Sequence, residues 1–444
     1  MLSRSPSRPV AFAAVAALAI LVCLPGLTGA FIGDDYHFLV ENPTVTGGCN
    51  LPLDHAVQTE GGVFFRPLAL GWFSCLHALT GPSAIAFRAS VVAAHAAATV
   101  AVVELASAWL PLTVATLAGA LFAVHPVHVE AIASVANGSE VFATALVLWA
   151  VALAGRWAAA GRGGPARFVL GGALVLAALL FKESAVVAVP VLVAAEWATA
   201  RRDAASSFRP WATVGGVLAL AAYLVLRRSA VQTLVVPQMV DPLAGAAPLE
   251  RLRATAWIVG QYLGLLVAPL DLRADYGPPI VSLGATSWGG ASVGIGVLGG
   301  TGAGLVFALF RRTPAAVAAM LLAAGVALYL HIIPLGPWMA ERFLYLPSAG
   351  FCVLVAAAVW ALAVRLGNPR PVLLLAGAML LAGMVRTAVR FSDWATTVDV
   401  WEAEVAHPDG GSAFAQANLA LAYFHANRQV EAAQLLASAV DGDP

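Results

Sequence analysis

The chain has 444 residues, of which 60% are hydrophobic and only 11% are charged, and its mean hydropathy is +0.85. Because soluble domains carry about 25% charged residues, this composition excludes a soluble globular protein and indicates a polytopic membrane protein. The 24 basic residues are balanced by 24 acidic residues. The net charge of zero says little, because the placement of the charges is what matters here. No nucleic-acid partner is expected.

Apolar stretches typical of membrane helices recur along the chain. They predict about eleven crossings, near 10–30, 86–108, 112–126, 140–155, 168–182, 184–200, 211–227, 289–310, 315–334, 348–364 and 371–389. A further stretch, 252–269, is interpreted as a surface or re-entrant helix. Basic and acidic loops alternate between the two sides of the membrane only if this stretch does not cross it. The expected fold class is therefore an all-α polytopic membrane protein, whose first apolar run is a retained anchor and not a cleaved signal peptide.

The distribution of charge predicts the orientation in the membrane. Basic residues cluster at the loops expected in the cytoplasm, and they are Arg4, Arg8, Arg156, Arg162, Arg167, Arg201, Arg202, Arg209, Arg311, Arg312, Arg365 and Arg370. Acidic residues gather on the other side. The bias toward arginine and alanine, with Lys182 as the only lysine, suggests a bacterial source. The expected location is the bacterial inner membrane, with the acidic side facing the periplasm.

The first outer loop, about 31–85, contains an interrupted apolar stretch, FFRPLALGWFSCLHALTG. That stretch is too short to span and suits an interfacial helix. Cys49 and Cys75 lie in the same loop. They form a disulfide if the loop faces an oxidising compartment, and otherwise they are two free thiols. The four cysteines contain no CxxC spacing, so a zinc or redox site is not expected.

The segment 393–444 differs from the rest of the chain. Its charge density rises, and small and large apolar residues follow a helical spacing typical of a helix–turn–helix of the tetratricopeptide type. One such repeat cannot bury its own face. It must dock on the membrane domain, pair with another chain or begin a longer array. We therefore predict two domains, a transmembrane domain at 1–392 and an outer helical repeat at 393–444.

An acidic pair, Asp34 and Asp35, follows the first apolar run. A carboxylate pair at a membrane surface is costly unless it has a role. Adjacent side chains point apart, so one can face a pocket while the other anchors the loop. The functional interpretation is a general base with a positioning partner, and the structural alternative is a solvated helix cap.

The motif HPVHVE contains His125, His128 and Glu130. The two histidines lie three residues apart, on one helical face if the helix continues. Three interpretations stay open. They are a metal site, a polar floor that binds phosphate or orients a carboxylate, and a structural loop whose histidines bond to the backbone.

Charged pairs also interrupt two later apolar regions, Lys182–Glu183 in FKES and Glu341–Arg342 in AERF. Charges in such regions pair or line a cavity, and lysine and arginine both suit phosphate. Arg66 and Arg88 are further cationic candidates on the predicted outer side. The alternative for Lys182–Glu183 is an ion pair that marks a turn between two spans.

Taken together, several segments resemble the transmembrane and tetratricopeptide-repeat O-mannosyltransferases, which have the C-type membrane glycosyltransferase fold. The segments are FIGDDYHFLVENPTV, FRPL, LFAVHPVHVEAIASVANG, FKESAVVAVP, YLGLLVAPLDLRADY and AERFLYLPSAGF. The family commonly has an arginine near Ser139, where this chain has Ser-Glu, and its relatives often carry several repeats. If that arginine helps to hold the donor phosphate in the family, then Lys182, Arg66 or Arg342 must take over its role here.

The resemblance implies transfer of a sugar, with mannose expected, from a polyprenyl-phosphate carrier to a hydroxyl, with inversion. The expected partners are this lipid-linked donor, an acceptor protein with Ser or Thr, and membrane lipids. No metal and no other cofactor are expected. The implied catalytic residues are Asp34 and Asp35. The residues implied to bind the donor phosphate are Arg342, Lys182 and Arg66. The polar residues implied to support the pocket are His125, His128, Glu130, Glu183 and Glu341.

Other functions stay open from the sequence. A glycosyltransferase of the same fold could act on a lipid or a glycan. A flippase for a lipid-linked sugar is a second alternative, although the internal repeats typical of transporters are not evident. A non-catalytic membrane scaffold would leave the charged motifs unexplained.

Overall fold

The computed structural model describes residues 7–54, 56–59, 62–161, 164–200, 210–231, 243, 245–277, 284, 286–331 and 337–441. Five of the arginines used above to predict orientation lie outside the described residues, namely Arg4, Arg162, Arg201, Arg202 and Arg209. The described part is almost entirely helical.

Eighteen α-helices follow one another in the described part of the chain. The first nine are α1 Arg8–Leu27, α2 Pro43–Thr46, α3 Pro67–Thr80, α4 Ala84–Ala106, α5 Leu112–Ala123, α6 Val129–Ala133, α7 Gly138–Ala159, α8 Pro165–Phe181 and α9 Ala188–Thr199. The others are α10 Trp211–Val231, α11 Pro248–Val267, α12 Trp288–Phe310, α13 Ala315–Ala327, α14 Tyr345–Leu366, α15 Arg370–Asp393, α16 Thr397–Val405, α17 Ala413–His425 and α18 Gln429–Asp441.

Short irregular pieces connect these helices at the polar motifs. One is a π-helical turn, Tyr36–Val40, and three are 3₁₀ turns, Pro126–His128, Glu183–Val187 and Glu341–Leu344. In the first outer loop, β1 Val57–Thr59 pairs antiparallel with β2 Gly62–Phe64, with Val57 opposite Phe64. Each motif singled out by sequence therefore lies at a helix end, where side chains can converge.

Fewer helices than predicted are long enough to cross a membrane. By length and composition, 7 described helices qualify, or up to 8 if the bent pair α5 and Pro126–Ala133 is one broken span. The predicted stretches at 168–182, 184–200 and 315–334 are shorter helices of 17, 12 and 13 residues. The predicted number of about eleven is too high on this measure, because the motifs HPVH and FKES end helices inside continuous apolar runs.

The core lies around α4 and α7. In their apolar windows 72% and 61% of residues are buried, against 11% in α12 and 17% in α15. Alanine and valine dominate the contact between α4 and α7, and small residues allow helix backbones in a membrane to approach closely. We infer that α4 and α7 form the centre of the helix assembly, while α12 and α15 face lipid.

Helix α11 corresponds to the ambiguous stretch 252–269 and is not among the candidate spans. It packs along α12, and the contact depends on glycine. A Cβ at Gly294 would overlap the carbonyl of Ala256, and a Cβ at Gly260 would lie 3.3 Å from the carbonyl of Gly290. No side chain fits at Gly294 unless the two helices separate.

We expect Gly294→Leu to lower the stability of the folded protein by about 1–3 kcal/mol, the usual cost of overpacking. Gly302→Leu is the matched control, because it lies on the same helix with no atom within 4 Å of its Cβ position. Thermal unfolding in detergent would compare them. Equal melting temperatures for the two variants would contradict the described packing of α11 against α12.

Helix α16 and the segment that leads into α17 dock on the membrane part, which is the first of the three alternatives for the repeat. Arg273, in the segment after α11, forms ion pairs with Glu404 at 3.4 Å and Asp409 at 2.9 Å. The amide of Ala274 donates to Glu404 at 2.7 Å, and the Ser412 hydroxyl donates to Asp275 at 2.5 Å. The docking contact is therefore polar and partly buried.

The open question about the first outer loop is resolved in favour of a disulfide, since Cys49 is bonded to Cys75. The amide of Asn50 donates to the Ser74 hydroxyl at 3.2 Å, and that hydroxyl donates back to the Asn50 carbonyl at 3.1 Å. The bond thus ties the segment after α2 to the middle of α3.

Removing this disulfide should destabilise the protein by about 2–4 kcal/mol, because the cross-link restricts the unfolded chain. We expect a reductant to lower the melting temperature of the wild type but not of the double variant Cys49→Ser/Cys75→Ser. Mass spectrometry after alkylation of the unreduced, denatured protein should find two modified cysteines. Four modified cysteines would mean that the bond does not form.

Candidate functional site

Asp35 is fully buried and anchors the loop after α1. One carboxylate oxygen accepts from the amide of Ala136 at 2.8 Å and the hydroxyl of Ser134 at 3.2 Å, and the other accepts from the amide of Ile32 at 3.0 Å. Burial raises the pKa of the Asp35 carboxyl to about 6, although the amides and the positive charge of Arg88 oppose that rise. Asp35 is therefore the anchoring member of the acidic pair.

Asp34 has the opposite environment, because it is exposed. It follows Gly33, whose φ of +47° is a left-handed conformation that favours glycine. The turn aims Asp34 away from the anchored Asp35. Asp34 also lies close enough to Arg342 to interact with it electrostatically. The division into one free and one anchoring carboxylate is the one that the sequence suggested.

Arg342 forms an ion pair with Glu130, and the Arg342 amide also donates to the Glu130 carboxylate at 2.7 Å. The side chain of Glu130 is 2% exposed, while that of Arg342 is 23% exposed. Glu130 therefore holds Arg342 beside Asp34 and does not join the histidines of its own motif.

The histidines of HPVHVE do not share a continuous helical face, because α5 ends before Pro126 and a 3₁₀ turn follows. His128 bonds the Ser348 hydroxyl at 2.8 Å, and His125 bonds the Leu266 carbonyl at 3.0 Å. Among the described residues, no group of three His, Cys, Asp or Glu side chains is arranged to hold a metal ion. Both histidines are buried, and their geometry favours the interpretation as a structural loop.

Lys182 and Glu183 do not pair with each other. Arg66 makes a bidentate contact with Glu183, with distances of 3.0 Å from Nε and 2.6 Å from Nη2. Lys182 instead pairs with Glu140 at 2.9 Å, and the Ser184 hydroxyl donates to the same carboxylate at 3.2 Å. The interpretation as one Lys–Glu turn pair is therefore wrong, because neighbouring side chains in an extended turn point in different directions.

Glu140 was not predicted as part of the site, although a signal existed. It stands next to Ser139, where the resemblance leads one to expect an arginine, and its charge is the opposite of that residue. A buried acid there needs a cation, and Lys182 is the only lysine in the chain. Lys182 meets this need by pairing with Glu140 at 2.9 Å.

Two further residues that sequence reasoning missed connect the charged motifs. Tyr329, just after α13, lies near Glu140, Glu183 and Arg342. Arg390 on α15 pairs with the fully buried Glu341 at 2.9 Å. Glu341 therefore pairs with Arg390 and not with its neighbour Arg342.

A recess of about 340 Å³, including space open to solvent, lies beside these charges. Its lining is apolar apart from one guanidinium and one hydroxyl, and the residues are Phe38, Phe64, Arg66, Ala69, Leu70, Phe73, Ala136 and Ser139. Arg66 lies over the Phe64 ring, 4.6 Å from its centroid. Because Ala136 also holds Asp35, the recess adjoins the anchored loop. The recess is thus a shallow, mostly apolar surface with one cation, Arg66, in its lining.

No family model matches the chain. A protein O-mannosyl-transferase of Caenorhabditis elegans is 25% identical over 403 residues, covering 86% of this chain and 56% of that protein. Protein O-mannosyl-transferases of Drosophila melanogaster and Homo sapiens are each 30% identical, over 187 and 168 residues, and cover 40% and 33% of this chain. The chain spans about half the length of the worm protein and about a fifth of the other two.

Solved structures of the Archaeoglobus fulgidus oligosaccharyltransferase are also similar. One, tethered with an acceptor peptide, has a TM-score of 0.49 and 15% identity and covers 91% of this chain and 58% of its own. Another, in complex with an inhibitory peptide and a dolichol-phosphate, has the same TM-score and identity.

Proposed function

We propose that this chain, a relative of the protein O-mannosyl-transferases as its motifs predicted, transfers a sugar from a polyprenyl-phosphate carrier to a protein Ser or Thr hydroxyl. Mannose is the expected sugar. The observation that carries the proposal is the exposed Asp34 on a loop fixed by buried Asp35, beside the partly buried cation Arg342. A non-catalytic scaffold would leave the exposed Asp34 beside Arg342, on a loop anchored by Asp35, without an explanation.

In the proposed reaction, Asp34 accepts the proton of the acceptor hydroxyl. The hydroxyl oxygen forms a bond to the anomeric carbon from the face opposite the phosphate. The bond between that carbon and the phosphate oxygen breaks, and its electron pair leaves with the lipid phosphate. The configuration at the anomeric carbon inverts. Preorganised cations stabilise the negative charge that develops on the leaving phosphate.

The three proposed phosphate ligands, Arg342, Lys182 and Arg66, each already pair with a carboxylate. Their side chains are 23%, 8% and 16% exposed, respectively. Arg342 is therefore the most accessible cation, and we assign it the direct phosphate contact. Arg66, which lines the apolar recess, would assist where the lipid begins. Lys182 would act mainly through the charge of the group.

We propose that the site faces the periplasm of a bacterial inner membrane. The disulfide Cys49–Cys75 supports this side, because such bonds persist in oxidising compartments. Arg8 and Arg156 meet Glu104 at the other ends of α1, α7 and α4, which agrees with basic cytoplasmic ends. We also propose that the transfer needs no metal, so that a chelator leaves the rate unchanged.

The test is transfer by the purified full chain in lipid. Radiolabelled polyprenyl-phosphate mannose and a periplasmic protein extract are supplied with and without a chelator. Label is expected in protein, sensitive to base elimination as O-linked sugar is. Label found only in lipid or glycan would show that the acceptor is a lipid or a glycan and would reject a protein acceptor. Movement of intact donor across vesicles without any transfer would establish the flippase alternative and reject the proposal.

A further inference from the structure

We propose that Arg88 is a positioning residue of this site, which holds the loop that carries Asp34 and Asp35 in place. The inference rests on the proposed function of Asp34 and adds a residue that the sequence suggested only as a possible phosphate ligand. Arg88 lies in the first turns of α4 and is 1% exposed. No phosphate reaches it there.

Arg88 holds the end of α1 through two short hydrogen bonds. One guanidinium nitrogen donates to the Gly26 carbonyl and the other to the Ala30 carbonyl, both at 2.5 Å. The Gly26 carbonyl, near the end of α1, also accepts from the Gly29 amide at 3.5 Å, and the guanidinium gives it a second, shorter hydrogen bond. A Cβ at Gly29 would overlap the guanidinium, which shows how closely the loop wraps around it.

The far side of the same loop is held by the turn between α15 and α16. The Ala30 amide donates to the Ala395 carbonyl at 2.9 Å, and the Gly33 amide donates to the Thr397 hydroxyl at 3.3 Å. Arg88 and this turn therefore clamp residues 26–33 from two sides. The loop has little freedom before it reaches Asp34.

Arg88 also acts on Asp35 through its charge. The groups that face Asp35 from the α6–α7 junction are uncharged, namely the Ser134 hydroxyl and the amides of Val135 and Ala136. Its own loop contributes the Ile32 amide. Arg88, from α4, is the charged group among them that favours the anionic carboxylate. The anion accepts three donors, and its protonation would weaken that anchor.

The experiment compares Arg88→Met, Arg88→Lys and the wild type as full chains in lipid. Transfer is measured from pH 4.5 to 8, and hydrogen exchange is measured at residues 26–35. We expect Arg88→Met to lower kcat by about 10–100-fold, since a displacement near 1 Å can cost about 100-fold, with the donor KM within twofold. The fall of activity below about pH 6 should move to higher pH, because without Arg88 the pKa of Asp35 rises further.

Arg88→Lys should recover part of kcat, and its activity should fall at the same acidic pH as that of the wild type, because lysine keeps the charge. Arg167→Met is the matched control, a buried arginine near the start of α8, at the opposite end of that helix from Lys182. It should lower the melting temperature without moving the pH below which activity falls. The inference would be overturned if Arg88→Met changed neither the pH below which activity falls nor the hydrogen-exchange rate of residues 26–35. Hydrogen exchange reports on the loop even if no sugar is transferred, so failure of the proposed function is distinguished from failure of this inference.

Discussion

Asp34→Asn is expected to abolish sugar transfer and leave the protein folded. A positioned general base contributes about 10²–10⁴-fold to a rate, and Asn at this position has no basic oxygen. Asp34 is exposed and has no contact that would unfold the chain when its charge is lost. The measurement is the initial rate of label transfer, together with the melting temperature and the elution volume on gel filtration.

Asp35→Asn is the informative comparison, because it should fail for a different reason. Asp35 is buried and accepts hydrogen bonds from Ile32, Ser134 and Ala136. In Asp35→Asn, the side-chain NH₂ group would replace one accepting oxygen and would face a hydrogen-bond donor. Both melting temperature and transfer should fall in this variant, whereas only transfer falls in Asp34→Asn. Full activity in Asp34→Asn would reject Asp34 as the base and with it the mechanism.

Arg342→Met is expected to be strongly destabilising as well as inactive. It leaves the charge of Glu130 buried without its cation, and breaking a buried ion pair on one side costs about 3–5 kcal/mol. Loss of activity in the single variant therefore cannot separate a phosphate ligand from a structural partner. The double variant Arg342→Met/Glu130→Gln removes both charges and should regain most of the stability.

The double variant decides the role of Arg342. If Arg342 binds the donor phosphate, transfer stays at least about 100-fold below the wild type although the protein is stable again. Recovery of transfer with stability would show that the arginine serves only to neutralise Glu130. The pair Arg156–Glu104 is the matched control. It lies at the opposite ends of α7 and α4, and its single and double variants should change stability alone.

The presence of long apolar helices and the different environments of Asp34 and Asp35 could be predicted from the sequence, because both depend on local properties. A long apolar run favours a helix, although HPVH and FKES end helices inside such runs, and adjacent side chains point apart. The catalytic roles of the two aspartates stay a prediction. The sequence leaves open the choice between a disulfide and two thiols, because that choice depends on whether the loop faces an oxidising compartment.

The partners of the cations could not be predicted, because they come from distant parts of the chain. Lys182 and Glu183 are adjacent, yet their partners Glu140 and Arg66 lie on α7 and before α3. The same is true of Arg390 with Glu341. Composition shows that buried charges must be compensated, but only the packing of the helices determines which acid meets which base.

The contacts of the α15–α16 turn bear on how shorter versions of the protein should be made. A chain cut at 392, the boundary predicted from composition, would lose the carbonyl of Ala395 that the Ala30 amide needs and the hydroxyl of Thr397 that the Gly33 amide uses. It would also uncover Arg273 by removing Glu404. A shortened chain should therefore extend through α16 and Ser412, and the first part of the repeat belongs, in practical terms, to the folded unit that holds the loop of Asp34 and Asp35.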